Sequence, residues 1–248
     1  MLKAQVVSGA RRVVLFHGQE HAPGYLSDSQ WIVVPQAVAV AEPIPVADFD
    51  LDCDAVLLTS KAAALWYCKQ SFPDQLVVTS GEGTAAILSA AGKVGIAPKD
   101  GVGAGAALRL LSKRLRVGAR ILFPCGERTA GIAEQVTTEL GFELRTLPVY
   151  RLQALPTIGP LGTVHAACFG SGQIVEFTRN GLGPARWRSL SSLPALVLGN
   201  TARNALSDWN GCVLDLEKTA IQPGSFCIPF ALTDEIVSQS TPILDVGC

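Results

Sequence analysis

Short apolar runs along the chain alternate with stretches whose apolar residues recur at helical spacing. The short runs are continuous and do not alternate with polar residues, which is typical of strands covered on both faces of a parallel sheet. We predict strands at Val13–Phe16, Trp31–Val34, Ala55–Leu58, Leu76–Val78, Ile121–Phe123, Leu144–Leu147, Val164–Phe169 and Ala195–Leu198. We predict helices at Ala62–Gln70, Thr84–Ala91, Ala104–Leu115, Thr129–Leu140, Gln173–Arg179 and Thr201–Trp209. Repeated strand–helix units indicate an α/β fold of parallel β-sheets flanked by helices.

Three pairs of segments within the chain resemble one another. The pairs are Asp54–Trp66 with His165–Phe177, Val77–Leu88 with Leu196–Leu206 and, more weakly, Val13–Gly18 with Ile121–Gly126. Two similar lobes built from one repeated unit would produce this pattern. The similarity also has a simpler explanation, because every strand-to-helix turn needs a small residue and a helix cap.

Proline-containing segments mark two places where the chain could cross between such lobes. They lie at Glu42–Val46 and Leu147–Pro156. Two crossings would make the first lobe discontinuous and would leave a cleft beside two connecting strands. We therefore predict an α/β lobe from residues 1–46 and 152–248, an inserted α/β lobe from residues 47–151, and a two-stranded connector between them.

Composition restricts the classes of partner. The 248 residues include 20 Lys and Arg against 21 Asp and Glu, a net charge of −1, whereas nucleic-acid-binding proteins normally show a basic excess or stripe. Apolar residues make up 48% of the chain and charged residues 17%, which argues against disorder. No apolar run approaches the roughly eighteen residues of a membrane span. We therefore expect a protein that binds neither nucleic acid nor membrane.

The cysteines and the N-terminus indicate the compartment. The seven cysteines are odd in number, widely spaced and without a CxxC or CxxH pair, so neither a disulfide framework nor a zinc site is expected. The three histidines are isolated, and no metal site is predicted. Arg11 and Arg12 lie where a signal peptide would carry its apolar stretch. The cytoplasm is the expected location, and an Arg-bearing organelle presequence stays open.

Several predicted strands end in turns rich in Gly, Ser and Thr that open a helix. These turns are Thr59–Lys61, Ser80–Thr84, Gly126–Thr129, Gly170–Gly172 and Gly199–Thr201. Helix N-termini bind anions through their N–H groups and dipole, and ligands of open α/β sheets lie at the carboxyl ends of strands. Such turns facing one cleft would suit a ligand with several carboxylates or phosphates. Alternatively, their Ser and Thr residues do no more than cap helices.

Other candidates for chemistry are less specific. Gly101–Gly105 resembles a dinucleotide-binding loop, but no strand leads directly into it. Cys125 follows a strand near a helix start, where a thiolate could be stabilised, but no His stands near it in sequence, and we interpret it as a packing residue. Tyr150 lies in the second crossing, where its phenol could donate a proton or hydrogen bond to a ligand or could simply anchor the linker.

One long segment and several turns resemble a known family. Ile121–Arg151 is similar to the most recognisable segment of uroporphyrinogen-III synthases, in which a strand, a Gly turn, an amphipathic helix, a second strand and a Val-Tyr ending follow in this order. Asp54–Ala63 resembles the family's strand that ends in Thr-Ser. Val77–Leu88 and Leu196–Leu206 are similar to its two turns of the G-x-x-T-A type, and Ser171-Gly172 to its second Ser-containing turn. The likeness spans about residues 48 to 210.

The resemblance implies a fold and an activity. It implies two α/β lobes joined by a two-stranded connector, as well as closure of the linear tetrapyrrole hydroxymethylbilane with inversion of its last pyrrole ring. The product is uroporphyrinogen III, a precursor in porphyrin and heme biosynthesis, and the enzyme would be a cyclising hydro-lyase that needs no metal or organic cofactor. The expected partner is the small-molecule substrate, and the expected state is a monomer with at most transient contacts to pathway enzymes.

The resemblance also implies site residues. Tyr150 matches the residue that would assist departure of the substrate's hydroxyl. Turn positions that would bind the substrate are Thr59, Ser60, Gly81, Thr84, Gly126, Ser171, Gly172, Gly199 and Thr201, and Lys61 and Arg128 would add cationic contacts. The chain departs from the family pattern at Ala202, where a second threonine is common, and at His17-Gly18, where Arg or Thr is expected.

A second hypothesis belongs to a different class of function. A two-lobed protein with these turns could bind a small polyanionic ligand without transforming it. The two hypotheses differ in one observable, because a binding protein would leave the ratio of product isomers unchanged.

Overall fold

The structure, a computed structural model, describes residues 11–18, 31–47, 49, 52–73, 75–101, 103–197 and 199–215. The described chain divides into two compact units. The first unit comprises the described residues up to Val40 and from Ala154 onward, and the second comprises Ala41–Gln153. The predicted lobe boundaries at residues 46 and 151 remain predictions.

Strands and helices alternate along most of the described chain. The strands are β1 (Arg11–Gly18), β2 (Trp31–Pro43), β3 (Ala55–Leu58), β4 (Leu76–Thr79), β5 (Arg120–Gly126), β6 (Glu143–Ala154), β7 (Ala166–Phe169), β8 (Ala195–Val197) and β9 (Val213–Asp215). The helices are α1 (Lys61–Cys68), α2 (Glu82–Ala90), α3 (Ala104–Ser112), α4 (Ile132–Leu140), α5 (Gly172–Leu190) and α6 (Asn200–Ala205). None of the described helices is long and apolar enough to cross a membrane.

The second unit holds a parallel sheet with the strand order β4-β3-β5-β6. All four residues of β3 are apolar and completely buried. Ala55 and Leu57 pack with residues of α3 and α4, whereas Val56 and Leu58 pack with residues of α1 and α2. Since successive side chains of a strand point to opposite faces, helices cover this sheet on both faces. The continuous apolar run in the sequence therefore has the cause that was predicted for it.

The first unit holds a second parallel arrangement with the order β2-β1-β7-β8-β9. Phe16 of β1 stacks on Phe169 of β7 with ring centroids 5.2 Å apart, and Trp187 and Trp209 extend this buried aromatic cluster. The long helix α5 is two helices joined at Gly183, whose φ of 72° breaks the helical path just before Pro184.

The two units place similar sequence segments at similar sheet positions. In the second unit the order is β4-β3-β5-β6, and in the first unit β8-β7-β1-β2 follows the same course, with β9 added beside β8. The paired sequence segments correspond to β3 and β7, to β4 and β8, and to β5 and β1. The order of strands within each unit therefore agrees with the internal similarity of the sequence.

The α/β class and the parallel sheet are confirmed, and several elements differ in extent from the prediction. Both proline-containing crossings include strand: β2 continues to Pro43 and β6 continues to Ala154. The Ile44 N–H donates to Val149 O at 3.0 Å, and the Leu155 N–H donates to Val38 O at 2.9 Å. Strand β9 was not predicted.

Some residues that the sequence analysis considered lie outside the described residues. They are His21, Cys227, Cys248 and the segments 1–10 and 216–248.

Candidate functional site

In the second unit, the sheet order places the turns after β4, β3 and β5 side by side at the carboxyl ends of their strands. Ser80 joins the first two of these turns: its Oγ donates to Thr59 O at 3.1 Å, and its N–H donates to Leu58 O at 2.9 Å. The structure therefore brings together the turns Thr59–Lys61 and Ser80–Thr84, which lie about twenty residues apart in the sequence and are adjacent because β3 pairs with β4.

The turn after β3 contributes a helix cap and a cation. Ser60 is the N-cap of α1, and its Oγ accepts from the Ala63 N–H at 3.1 Å. This hydroxyl thus has the capping role that the sequence left open as an alternative. The next residue, Lys61, extends toward α2, since a Cβ placed on Gly83 would lie 3.8 Å from Lys61 Cε. The Lys61 side chain consequently lies beside the first turn of α2.

The turn after β4 opens α2 without a side-chain cap. Gly81 is the N-cap in an extended conformation, and it has no side chain to bond the first N–H groups of the helix. Its carbonyl accepts from Thr79 Oγ1 at 3.2 Å. Thr84 is buried, with 7% of its surface exposed, so its side chain belongs mainly to the interior of the unit. Gly81 therefore contributes backbone to this edge, and Thr84 contributes mainly packing.

The start of α3 lies at the same edge, which the sequence did not predict. The Gly103 N–H donates to Ser80 O at 2.8 Å, and Gly103 is the N-cap of α3 with a φ of 94°, a region that favours glycine. A helix was predicted from Ala104, so Gly103 already stood at a predicted helix start, where glycine is an accepted N-cap. What the sequence did not indicate is the bond to Ser80, because that bond depends on tertiary pairing.

Tyr150 lies opposite Gly126 at the end of β5. The two residues are register partners next to an irregularity in the β5–β6 pairing, and the Glu127 N–H donates to Tyr150 O at 2.8 Å. A Cβ placed on Gly126 would lie 3.1 Å from Tyr150 Cζ and 3.2 Å from both Cε2 and the phenol oxygen. The phenol therefore lies over the Gly126 backbone, and its hydroxyl is held at the carboxyl end of β5.

The loop from β5 to α4 carries Arg128, whose side chain is exposed. One residue further, Thr129 Oγ1 donates to Glu134 Oε1 at 2.9 Å. The loop ends at Gly131, the N-cap of α4, which has a φ of 74°. Hydrogen bonds at Glu127 and Thr129 therefore fix the loop on either side of Arg128.

The first unit has its own group of predicted turn residues. Ser171 is the N-cap of α5, and its Oγ accepts from the Ile174 N–H at 3.4 Å. A Cβ placed on Gly172 would lie only 2.8 Å from Thr201 O, so the turns after β7 and β8 pack directly on one another. Gly199, the N-cap of α6, has a φ of 81° that favours glycine. Thr201 itself is exposed.

The thiols near the strand ends are protonated at neutral pH. Burial and the nearby Glu134 carboxylate raise the pKa of Cys125 to about 11, and burial raises the pKa of Cys168 to about 12. Because the thiolate is the nucleophilic form, neither residue is suited to nucleophilic chemistry. The interpretation of Cys125 as a packing residue agrees with its 3% exposure.

His165 has a structural partner. Its Nδ1 accepts from the Arg12 N–H at 3.0 Å, and its backbone N–H donates to Arg12 O at 2.8 Å. Burial and the charges of Arg11 and Arg12 lower the pKa of this imidazole. His165 therefore ties β1 to the start of β7. Within the described ranges, no group of three or more His, Cys, Asp or Glu side chains could hold a metal ion.

The predicted site residues thus form two groups, one in each unit. The group in the second unit consists of Thr59, Ser60, Lys61, Gly81, Thr84, Gly126, Arg128 and Tyr150, and the group in the first unit consists of Ser171, Gly172, Gly199 and Thr201. Ser80 and Gly103 belong by position to the group in the second unit; they lie in segments that the sequence analysis considered, but neither was predicted as a site residue. Both groups present helix starts, hydroxyls and, in the second unit, cationic side chains, a set that is suited to binding carboxylates.

Comparison with known proteins supplies a family and a fold. The family model described as uroporphyrinogen-III synthase HemD matches residues 33–218. The crystal structure of uroporphyrinogen-III synthetase from Helicobacter pylori matches with 15% identity and a TM-score of 0.55, over 83% of this chain and 92% of that one. A mutant uroporphyrinogen III synthase from Thermus thermophilus matches with 18% identity and a TM-score of 0.46, over 84% of this chain and 94% of that one. No curated protein matches the sequence. At these identities the Helicobacter structure supports the fold alone.

Proposed function

The chain belongs to the uroporphyrinogen-III synthase family, and from this premise we propose that it closes hydroxymethylbilane to uroporphyrinogen III with inversion of the last pyrrole ring. The family match over residues 33–218 is the observation that carries the proposal, and it assigns the chain to tetrapyrrole biosynthesis. The reaction forms a carbon–carbon bond and releases water, which makes the enzyme a cyclising hydro-lyase.

The proposed substrate explains why helix starts matter. Hydroxymethylbilane carries acetate and propionate groups on every ring, and backbone N–H groups at helix N-termini can bind carboxylates. In the second unit, the N-cap of α2 is Gly81, which supplies no side-chain cap, and Lys61 lies beside the first turn of this helix. A substrate carboxylate bound there would be stabilised by the helix dipole and by the lysine. The exposed Glu82 would oppose it, so we assign the attraction to Lys61 and the backbone.

Tyr150 is the proposed catalytic residue. Its phenol would donate a proton to the departing hydroxyl of the substrate, which leaves as water and gives an azafulvenium cation beside a phenolate. The cationic carbon then bonds to the substituted carbon of the last ring to form a spiro intermediate. The older carbon–carbon bond of the spiro carbon breaks, the carbon released from it bonds to the unsubstituted carbon of the reversed ring, and transfer of the proton on that carbon to the phenolate restores both the pyrrole and the phenol. The position of the phenol over Gly126, where packing orients it, supports this role.

The remaining task of the protein is to control geometry. Closure without an enzyme gives the uninverted isomer, so the protein must hold the substrate where the spiro carbon forms. We propose that Thr59, Ser60, Gly81, Thr84, Gly126 and Arg128 in the second unit, and Ser171, Gly172, Gly199 and Thr201 in the first unit, hold the carboxylates. Thr84 would act indirectly, because its side chain is buried and its N–H donates to Gly81 O at 3.1 Å, which fixes the turn that carries Gly81.

We further propose that the protein works as a cytoplasmic monomer on a small-molecule substrate. The described cysteines, which include Cys53, Cys68 and Cys212, are free thiols, and free thiols are usual in a reducing compartment.

An assay that supplies hydroxymethylbilane tests the proposal. With the protein present, the product should be mainly the type III isomer, whereas the enzyme-free control gives type I. An isomer ratio equal to that of the control would overturn the proposed activity. If the protein also bound the tetrapyrrole in that case, the non-catalytic binding protein would be the correct description.

A further inference from the structure

Ser80 connects three segments of the second unit at the carboxyl ends of β3 and β4. Its Oγ donates to Thr59 O at 3.1 Å, and its N–H donates to Leu58 O at 2.9 Å. Its carbonyl accepts from the Gly103 N–H at 2.8 Å. One residue thus links the turn before α1, the turn before α2 and the start of α3.

The hydroxyl bond has a specific geometric consequence. Thr59 directly precedes Ser60, which caps α1, and Lys61, which begins it. If Thr59 O loses its donor, this turn loses a side-chain tie to the neighbouring strand end, while the backbone bond between Ser80 and Leu58 holds the end of β3 in place. Movement of the turn would change the distance between the Lys61 side chain and Gly83 in the first turn of α2. In the structure, a Cβ placed on Gly83 would lie 3.8 Å from Lys61 Cε.

We propose that Ser80 is a positioning residue whose hydroxyl sets where the Lys61 side chain lies relative to the first turn of α2. Ser80 acts through Lys61 and the two turns and does not itself touch the reacting atoms. The inference rests on the proposed function, because the distance between Lys61 and α2 affects substrate binding only if the lysine and the helix start together hold one carboxylate of the substrate.

The chain offers a matched control. Ser112 lies in α3 of the same unit, is exposed, and donates its Oγ to Arg109 O at 2.9 Å. Ser80→Ala and Ser112→Ala therefore each remove one hydroxyl that donates to a backbone carbonyl. Ser80→Thr keeps the hydroxyl. Lys61→Met, alone and combined with Ser80→Ala, tests whether the two residues act through each other.

The experiment measures KM, kcat and thermal midpoint with hydroxymethylbilane for these variants and the wild type. Ser80→Ala should raise KM about fivefold, the effect of one typical hydrogen bond, and leave kcat unchanged, since carboxylate binding is uniform across the reaction. Ser112→Ala should leave KM unchanged, and Ser80→Thr should restore it. In the double variant, the rise in KM should be smaller than the product of the two single effects. A structural role alone would lower the thermal midpoint of Ser80→Ala without this coupling.

The outcomes separate the two proposals. If the wild type forms type III product and Ser80→Ala has the KM of Ser112→Ala, the positioning role is overturned and the enzymatic activity stands. The positioning role is also overturned if the rise in KM of the double variant equals the product of the rises in the two single variants. If the wild type gives the isomer ratio of the enzyme-free control, the proposed function fails, and the role of Ser80 falls with it.

Discussion

The phenol of Tyr150 occupies the space that a side chain on Gly126 would need. A Cβ at that position would lie 3.1 Å from Tyr150 Cζ, which is closer than an ordinary van der Waals contact. The two residues are also register partners of neighbouring parallel strands, and the Glu127 N–H donates to Tyr150 O at 2.8 Å, which ties the two backbones together at this point. The absence of a side chain at position 126 is therefore what allows the tyrosine hydroxyl to lie at the end of β5.

Gly126→Ala should displace the Tyr150 phenol and slow the reaction. Misplacement of a catalytic group by about 1 Å can reduce a rate by about 100-fold, so we expect kcat to fall about 10- to 100-fold. Gly159→Ala is the control, because nothing lies within 4 Å of a Cβ at that position. Steady-state formation of type III product measures the effect, and equal kcat values for the two variants would show that the position of the phenol does not matter.

Gly172→Ala should destabilise the first unit. Its Cβ would lie 2.8 Å from Thr201 O and 3.3 Å from Thr201 C, and overpacking of this kind costs about 1–3 kcal/mol of unfolding free energy. Gly170→Ala, two residues earlier and with nothing within 4 Å of its Cβ, should cost much less. Urea unfolding of both variants measures the difference, and equal midpoints would contradict the close contact between the two turns.

His165 should make stability depend on pH. The pKa of its imidazole is lowered in the folded protein from the ordinary value of 6.5, so the unfolded chain binds a proton more readily. The stabilisation by the neutral imidazole is therefore complete above pH 6.5 and is lost as the pH falls through the lowered folded pKa. When unfolding midpoints are measured between pH 5 and 8, the midpoint of the wild type should fall more steeply toward low pH than the midpoint of His165→Gln. Parallel curves would contradict the lowering of this imidazole's pKa by burial and by the charges of Arg11 and Arg12.

Cys125 and Cys168 should resist alkylation. Their pKa values of about 11 and about 12 leave almost no thiolate at neutral pH, and both side chains are buried. Among the cysteines that the structure describes, Cys212 is the exposed one and should react first with iodoacetamide, as peptide mass spectrometry can determine. Cys125→Ala should keep full activity. Rapid labelling of Cys125, or loss of activity in the alanine variant, would assign this thiol a chemical role.

Sequence patterns located most strands because burial on both faces leaves continuous apolar runs. Ala55–Leu58 was predicted with its observed bounds for this reason. The same criterion missed most of β6, whose residues are largely exposed and which contains Pro148. It also stopped β2 before Pro35, although Pro35 pairs in register with Leu15. Strands that leave the covered part of a sheet lose the apolar signal, so their length depends on tertiary pairing.

The predicted length of α5 was too short because glycine and proline are normally taken to end a helix. Gly181, Gly183 and Pro184 ended the predicted helix at Arg179, whereas α5 passes all three by changing direction at Gly183. Proline is tolerated there because it stands in the first turn of the second helical segment. The three-residue strand β9 is too short to carry a periodic pattern.

The candidate site was predictable as a set of turns but not as a geometry. Thr59 and Gly81 follow apolar runs in the sequence, and pairing of β3 with β4 makes them neighbours. The bond from Ser80 Oγ to Thr59 O has no signal in a single sequence, because a serine in a turn is equally suited to capping. The burial of Thr84 was also hidden, since a threonine near a helix start is usually assigned to a cap.

The most direct test of the account is the rate of type III product formation from hydroxymethylbilane, measured side by side for the wild type, Tyr150→Phe and an enzyme-free control. General acid assistance is worth about 100-fold or more, so the wild type should form type III product rapidly and Tyr150→Phe about 100-fold more slowly. A wild type that yields only the type I isomer of the control, or a phenylalanine variant as fast as the wild type, would contradict the account.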